Sequence, residues 1–410
     1  MTLSIAMFYH SLVSDWNHGN AHFLRGIASE FLARGHRVRI FEPRDAWSRA
    51  NLVSGHGEEA ISRFHRAFPH LSSVAYTPGT LDFDPALDGI DLILAHEWNP
   101  SELIAGLGGY RRGNAHVRLL FHDTHHRALT AEQELARFDL ADYDGVLAYG
   151  ASLKETYDRR GWGKQVHIWH EAADIRTFYP RASASKAGDI VWIGNWGDEE
   201  RTQELRDFFI SPVQRRRWIA RVYGVRYPPS ALAELNAASI GYGGWLPNFE
   251  APHIFAQYKA TVHIPRRPYT ECLPGIPTIR PFEALACGIP LVSAPWSDSE
   301  NLFRVNEDFL MARSAGEMEQ LLADVLNDAS LASSLSGSGL ETIRNRHTCG
   351  HRVNELLALY AAMKPASRLD TSGSPLAHAR SVLASEPRPA GSGGGSTSDR
   401  DRILLAEAHA

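Results

Sequence analysis

The chain has 410 residues, enough for two domains of ordinary size, with 44% apolar and 22% charged residues and a formal net charge of −5. That balance excludes a general electrostatic attraction to nucleic acid or to an anionic membrane, and no apolar run reaches the roughly 18–20 residues that span a bilayer. Three widely separated cysteines, Cys272, Cys287 and Cys349, form neither a disulfide framework nor a paired zinc motif, so a reducing cytoplasm is the expected location.

The opening "MTLSIAMFYH" lacks a basic leader region and reads as a first strand. Strands are expected at Leu3–His10, Arg37–Glu42, Asp91–His96, Val117–His122, Gly145–Tyr149 and Val166–His170, with helices such as Ala21–Ala33 and Ser152–Arg160 between them. This alternation is the grammar of a doubly wound parallel sheet. "PRASASKAG", Pro180 to Gly188, is small, polar and turn-rich and reads as a linker. A second alternating series follows, with strands at Asp189–Ile193, Ile219–Tyr223, Ala260–Pro265, Pro290–Ala294 and Phe309–Ala312 and helices at Phe282–Cys287 and Ala315–Leu326. Gly339–Met363 reads as helical. From Lys364 the composition turns to Ser, Pro, Gly and Ala, a disordered tail in which "DRILLAEAHA" could form a brief helix. The expected domains are therefore 1–180, 181–345, a returning helix over 346–363 and a tail over 364–410.

Ligands of such sheets bind beyond the carboxyl ends of the strands. Those ends carry His10, His96-Glu97-Trp98, His122-Asp123, Tyr149-Gly150 and His170-Glu171 in the first half, and Gly194-Asn195-Trp196 in the second. His263 lies in the strand that leads to Arg266-Arg267. One strand-end histidine is usually a structural hydrogen bonder; their recurrence along one edge suggests a site wall. "HDTHH", His122 to His126, has the alternation of a metal ligand set, but no second cluster completes one, and a polar contact to substrate is the better reading of His122 and Asp123.

Neither "GLGGYRRG" nor "GYGGWL" fits the GxGxxG fingerprint, which argues against a standard NAD site, and no P-loop occurs. "DFD" (Asp82–Asp84) and "DYD" (Asp142–Asp144) sit away from the expected cleft and make poor metal–diphosphate sites. "NHGNAH", Asn17 to His22, joins the first strand to its helix; Gly19 permits close backbone approach to an anion, or the segment is an ordinary turn capped by Asn20. "QRRRWIARVYGVR" is read as a solvated helix face entering a strand, ahead of peripheral membrane contact or DNA binding.

The most informative stretch is "PYTECLPGIPTIRPFEALACG". Pro281 suits a first helical turn, the N–H groups of Thr278 and Ile279 are available to phosphate oxygens, and Arg266, Arg267 and Arg280 can add charge. Glu283 is either a fixed acceptor for two vicinal ribose hydroxyls or a carboxylate that only complements the helix dipole.

"RPFEALACGIPLVS" resembles the donor-site segment of GT-B glycosyltransferases of the family-4 type, and "HEAADIRTFYP" is similar to the end of their first domain. "GGWLPN", "VHIPRRPY" and "LPGIPTIRPFEALACGIPLVSAPWSD" most resemble the CgeB-like, spore-maturation-protein-like branch. The resemblance covers roughly residues 1 to 363. It implies two Rossmann-like domains facing across a cleft: an acceptor domain, then a nucleotide-sugar donor domain. It implies that Glu283 holds the ribose and that the loop Gly275–Ile279 binds the donor phosphates. By the same resemblance Asn195 faces the donor, Arg201 contacts the diphosphate, Gly19 is the first-domain glycine loop, and His122 lies near the transferred sugar. His263 is a further donor-side candidate. The first glutamate of the family motif falls on Gly275; the nearest carboxylate, Glu271, is a possible sugar contact.

The expected activity is a cytoplasmic, hexosyltransferase-like reaction of the kind used in polysaccharide biosynthesis. A sugar passes from a nucleotide diphosphate to a hydroxyl acceptor with neither metal nor cofactor and with retained configuration, His122 or Asp123 orienting or deprotonating the acceptor. The alternatives are a nucleotide-sugar epimerase or phosphorolytic enzyme of the same fold, or a non-catalytic nucleotide-sugar binder.

Overall fold

The computed structural model describes residues 2–183 and 185–363, and the expected tail over 364–410 lies outside them. Apolar strand segments alternate with helices twice over, and each series closes into its own parallel sheet. The first contains β1 (Ser4–Phe8), β2 (Arg37–Pro43), β3 (Ser73–Tyr76), β4 (Leu92–His96), β5 (Arg118–Asp123), β6 (Gly145–Ala148) and β7 (Val166–Ile168), in the order 3-2-1-4-5-6-7. The second contains β8 (Gly188–Ile193), β9 (Ala220–Tyr223), β10 (Gly241–Tyr242), β11 (Tyr258–His263), β12 (Leu291–Ser293) and β13 (Leu310–Met311), in the order 10-9-8-11-12-13. In both, the strand order reverses beside the first strand of the series, which opens a crevice at the carboxyl edge.

Strand alternation sorts the side chains of the first sheet. Met7, Leu94, Leu120 and Leu147 face the helix Ala21–Ala33, while Phe8, Ile93, Phe121 and Val146 build a separate core on the other face. Tyr269, Leu273 and Ile276 cross from the second lobe and complete that other core.

Three sequence expectations are corrected. Ser73–Tyr76 and Gly241–Tyr242 are strands that the pattern did not announce, because both are short edge strands with little apolar signal. The polar-rich helix Trp47–Ala67, interrupted at Gly57, was likewise not foreseen. The expected single helix Gly339–Met363 is two, Ala329–Arg346 and Cys349–Ala362. Thr348 separates them: its side chain accepts from the His351 N–H in a capping box, starting a new helix that packs on Ala21–Ala33 of the first lobe. Trp169 Nε1 donates to the Arg352 carbonyl at 2.9 Å and pins that return.

Candidate active site

The sequence expected a helix from Phe282; it begins at Ile279 and runs to Ala286, placing Glu283 in its second turn rather than at its mouth. Thr278 is the N-cap, but its hydroxyl turns to His263 Nε2 at 3.2 Å and makes no capping bond. The first N–H groups of this helix are therefore left without a side-chain cap, as donors of the kind that suit an anion. Gly19 of the first lobe lies opposite, its Cβ position 3.7 Å from Ile279 Cγ2.

Three guanidiniums gather near this helix. Arg201 donates to the carbonyls of Ile264 at 2.9 Å, Asn195 at 2.6 Å and Trp196 at 3.4 Å, and no described carboxylate forms an ion pair with it. Burial, reinforced by Arg266 and Arg280, pushes its pKa down to about 9. Arg266 pairs with Glu200 at 3.2 Å, and Arg280 pairs with Glu283. A cation destabilised in this way is relieved by an incoming anion.

Glu283 is fully buried, yet it lies at the seam between the lobes. Its Oε1 accepts from Asn248 Nδ2 at 2.6 Å and from His22 Nδ1 of the first lobe at 3.1 Å; Arg280 takes Oε2. Burial opposes its charge, but Arg280, His22 and Asn248 together hold its pKa below the ordinary carboxylate range. The carboxylate is fully enclosed by the protein, and a ribose could reach it only by displacing one of these donors.

His122 and Asp123 do not converge on one point. Adjacent residues of a strand face opposite sides of the sheet. His122 is buried among Tyr9, Phe23 and Trp169, bonded through Nδ1 to Tyr9 Oη at 2.8 Å, and burial lowers its pKa to about 3. Asp123 faces the opposite core, where it accepts from Tyr157 Oη at 2.7 Å and from the His125 N–H at 3.0 Å; burial raises its pKa. A joint role on one acceptor hydroxyl does not fit this geometry.

His263 links the end of its strand to the start of the Ile279 helix. It bonds Ser293 Oγ at 2.9 Å and Thr278 Oγ1, and burial with Arg201 nearby lowers its pKa to about 3. Asn195 bridges the lobes, donating to Asn17 Oδ1 while accepting from the Val225 N–H at 2.9 Å. Gly275 has φ +91, and a Cβ there would lie 2.3 Å from Ser299 Oγ. A side chain at that position would be strained by the backbone and would have to push the exposed Ser299 hydroxyl aside. Glu271 is exposed.

Three of the four aspartates in the DxD patterns make local structural contacts. Asp82 caps a short helix, Asp144 forms a two-pronged pair with Arg111, and Asp142 pairs with Arg112. Arg215 and Arg216 of the basic run pair with Glu319. Among the described residues no group of three or more His, Cys, Asp or Glu is placed to hold a metal ion.

Sequence patterns do not single out the residues that hold the seam. Asp15 accepts from Trp245 Nε1 and from the Asn248 N–H, each at 3.0 Å, and from Arg25 at 2.8 Å. Glu300 accepts from the Ala151 N–H at 2.9 Å and pairs with His170 Nε2 at 2.8 Å. His22 and Asn248 stand inside motifs already noted, "NHGNAH" and "GGWLPN", but their partners lie more than 200 and more than 30 positions away. Glu171, bonded to Asn20 at 3.1 Å, is pushed by burial up to about 8.

Two doubly wound lobes joined across this crevice define the GT-B glycosyltransferase fold. Residues 201–358 match the family described as "Glycosyl transferase-like", and no curated protein matches the chain. Solved structures agree in fold. A sucrose-phosphate synthase from Thermosynechococcus elongatus superposes with a TM-score of 0.60 at 15% identity, over 88% of this chain and 98% of that one. Anabaena HepE in complex with UDP and glucose gives 0.62 at 13% identity, over 88% and 100%. An alpha-glucosyltransferase in complex with UDP gives 0.63 at 12% identity, over 88% and 100%. No helix among the described residues is long and apolar enough to cross a membrane.

Proposed function

We propose that the chain is a glycosyltransferase that moves a hexose from a nucleotide-diphosphate sugar to a hydroxyl acceptor. The observation that carries this is Arg201, a half-buried guanidinium hydrogen-bonded only to carbonyls, beside Arg266 and Arg280 and near the uncapped helix at Ile279. Such a constellation suits a diphosphate better than any neutral ligand. The fold, the glycosyl transferase-like match over 201–358 and the UDP carried by structural neighbours support the same reading.

In this reading the bond from the anomeric carbon to the diphosphate oxygen breaks and the acceptor oxygen bonds to that carbon. The acceptor proton passes to the departing diphosphate, which needs no other base. Arg201, Arg266, Arg280 and the N–H groups of Thr278 and Ile279 stabilise the charge that develops on the leaving group, a task a divalent metal would otherwise perform. Retained configuration, membership of the CgeB-like branch and a cytoplasmic setting belong to the same proposal. Glu283 takes the ribose only after giving up Asn248 or His22, so donor binding and rearrangement of the seam are coupled.

Gly275 favours a second reading, a nucleotide-sugar binder without turnover, because the place of the motif's first glutamate carries no carboxylate. The test is a thermal-shift screen against UDP-, GDP- and TDP-sugars, followed by product analysis with the best ligand. A melting shift with one nucleotide series and a transferred or hydrolysed sugar support the transferase. A shift without any turnover supports the binder, and no shift with any nucleotide defeats both.

A further inference from the structure

Beyond the donor side, the first lobe carries a wall of indoles and imidazoles that neither of its cores uses. Trp47 and Trp98 are part-exposed and absent from both buried apolar clusters of that lobe, and their ring centroids lie 6.3 Å apart. His10 sits between them, 4.8 Å from Trp47 and 6.4 Å from Trp98, and His18 meets it edge-on at 5.5 Å. Arg127 lies over the Trp98 ring at 3.9 Å and leaves it only partly covered.

The hydrogen bonding of the two imidazoles is complementary. His10 Nε2 accepts from the Ser48 N–H at 3.3 Å, so its proton is on Nδ1. His18 Nδ1 donates to the Ser14 carbonyl at 3.4 Å, so Nε2 carries a lone pair, and that atom is buried with no partner. A donor on His10, beside the indoles, and a bare acceptor on His18 thus stand on neighbouring rings. A buried acceptor left unsatisfied is costly, so the arrangement suits a ligand that brings its own hydroxyls.

We propose that His10, His18, Trp47 and Trp98 form the acceptor subsite and that it takes an uncharged pyranose ring, stacked on the indoles with hydroxyls on the two imidazoles. A hydroxyl both gives and receives a hydrogen bond and so matches the pair; a phosphate or carboxylate would face the His18 lone pair. Burial keeps both imidazoles neutral, His18 near 4 and His10 well below its ordinary value, so neither supplies a charge for an anion. An alkyl alcohol would bury the unpartnered polar atoms against methylenes. This proposal rests on the transferase reading for its role in the reaction, but the binding it asserts does not depend on a donor.

The test is saturation-transfer NMR on the intact chain, with and without UDP. The probes are the methyl glycosides of glucose, galactose and mannose, with 1-octanol as the alternative. The expected result is saturation of pyranose ring protons, about two- to tenfold weaker in Trp98→Ala and recovered in Trp98→Tyr, which keeps a flat polar-tipped ring. His18→Leu is expected to weaken the same signal while the UDP-induced melting shift stays, which shows that the lobe is folded and the donor side intact. Saturation of octanol but of no glycoside overturns the proposal. So does glycoside binding that Trp98→Ala and His18→Leu leave unchanged. A UDP shift without glycoside binding sinks this inference alone; glycoside binding without any nucleotide shift sinks the donor reading instead.

Discussion

His22 accepts the Asp174 N–H at its Nε2, at 2.8 Å, and this single bond decides what its other nitrogen does. With Nε2 occupied as an acceptor, the neutral ring must carry its proton on Nδ1, which points across the seam to Glu283. A backbone amide in one lobe thereby sets the charge environment of a carboxylate in the other.

Replacing that carboxylate should therefore do two things. Glu283→Ala leaves Arg280 and Asn248 without their acceptor, and breaking a buried pair of this kind costs about 3–5 kcal/mol, less here because Arg280 is part-exposed. The melting temperature should fall, and the nucleotide-induced shift should vanish. A full nucleotide response in Glu283→Ala would remove Glu283 from the ribose site.

Arg201→Met should separate stability from binding. Removing a half-buried cation with no ion-pair partner among the described residues relieves its desolvation cost while forfeiting three bonds to carbonyls, so the ligand-free melting temperature should move little. Losing a charge-assisted contact of about 1.5–3 kcal/mol should weaken UDP roughly ten- to a hundredfold by titration calorimetry. An unchanged UDP affinity would place the diphosphate elsewhere.

Stability should peak between mildly acidic and neutral pH. His18 at about 4 and His122, His263 and His347 at about 3 lie below the ordinary 6.5. The folded chain then binds fewer protons than the unfolded one below pH 6.5, and each group removes up to about 1.4 kcal/mol per pH unit as the pH falls toward its folded value. Glu171 runs the other way: raised to about 8 from 4.5, it contributes stability that is present at low pH and lost as the pH rises through 8. Melts from pH 4 to 9 should show loss on both sides, and Glu171→Gln should flatten the alkaline limb. A melting temperature that rises steadily to pH 9 would contradict this assignment.

Gly26→Ala tests the returning helix. A Cβ at Gly26 would lie 2.4 Å from Cys349 Sγ and 2.7 Å from Asp174 Cβ, both in packed surroundings. Overpacking of this kind costs about 1–3 kcal/mol, and urea titration should show it as a lower midpoint with an unchanged slope. Wild-type stability in this variant would mean that the last helix is held only loosely to the first lobe.

Much of this molecule follows from local pattern. The run of apolar strand, turn and amphipathic helix, twice repeated, specifies two parallel sheets, because period-2 and period-3.6 burial are written in consecutive residues. The segment that carries the proposed donor loop is legible for the same reason, since Thr278, Ile279, Arg280 and Glu283 are near neighbours in the chain, although its helix begins at Ile279 rather than at the expected Phe282. What local pattern could not specify is where a side chain points once strands have packed. His122 and Asp123 are adjacent in sequence and opposite in space, whereas Glu283 and His22 are 261 residues apart and in contact. Strand alternation decided the first and the meeting of the lobes decided the second, and both depend on tertiary contacts that no short stretch of residues contains.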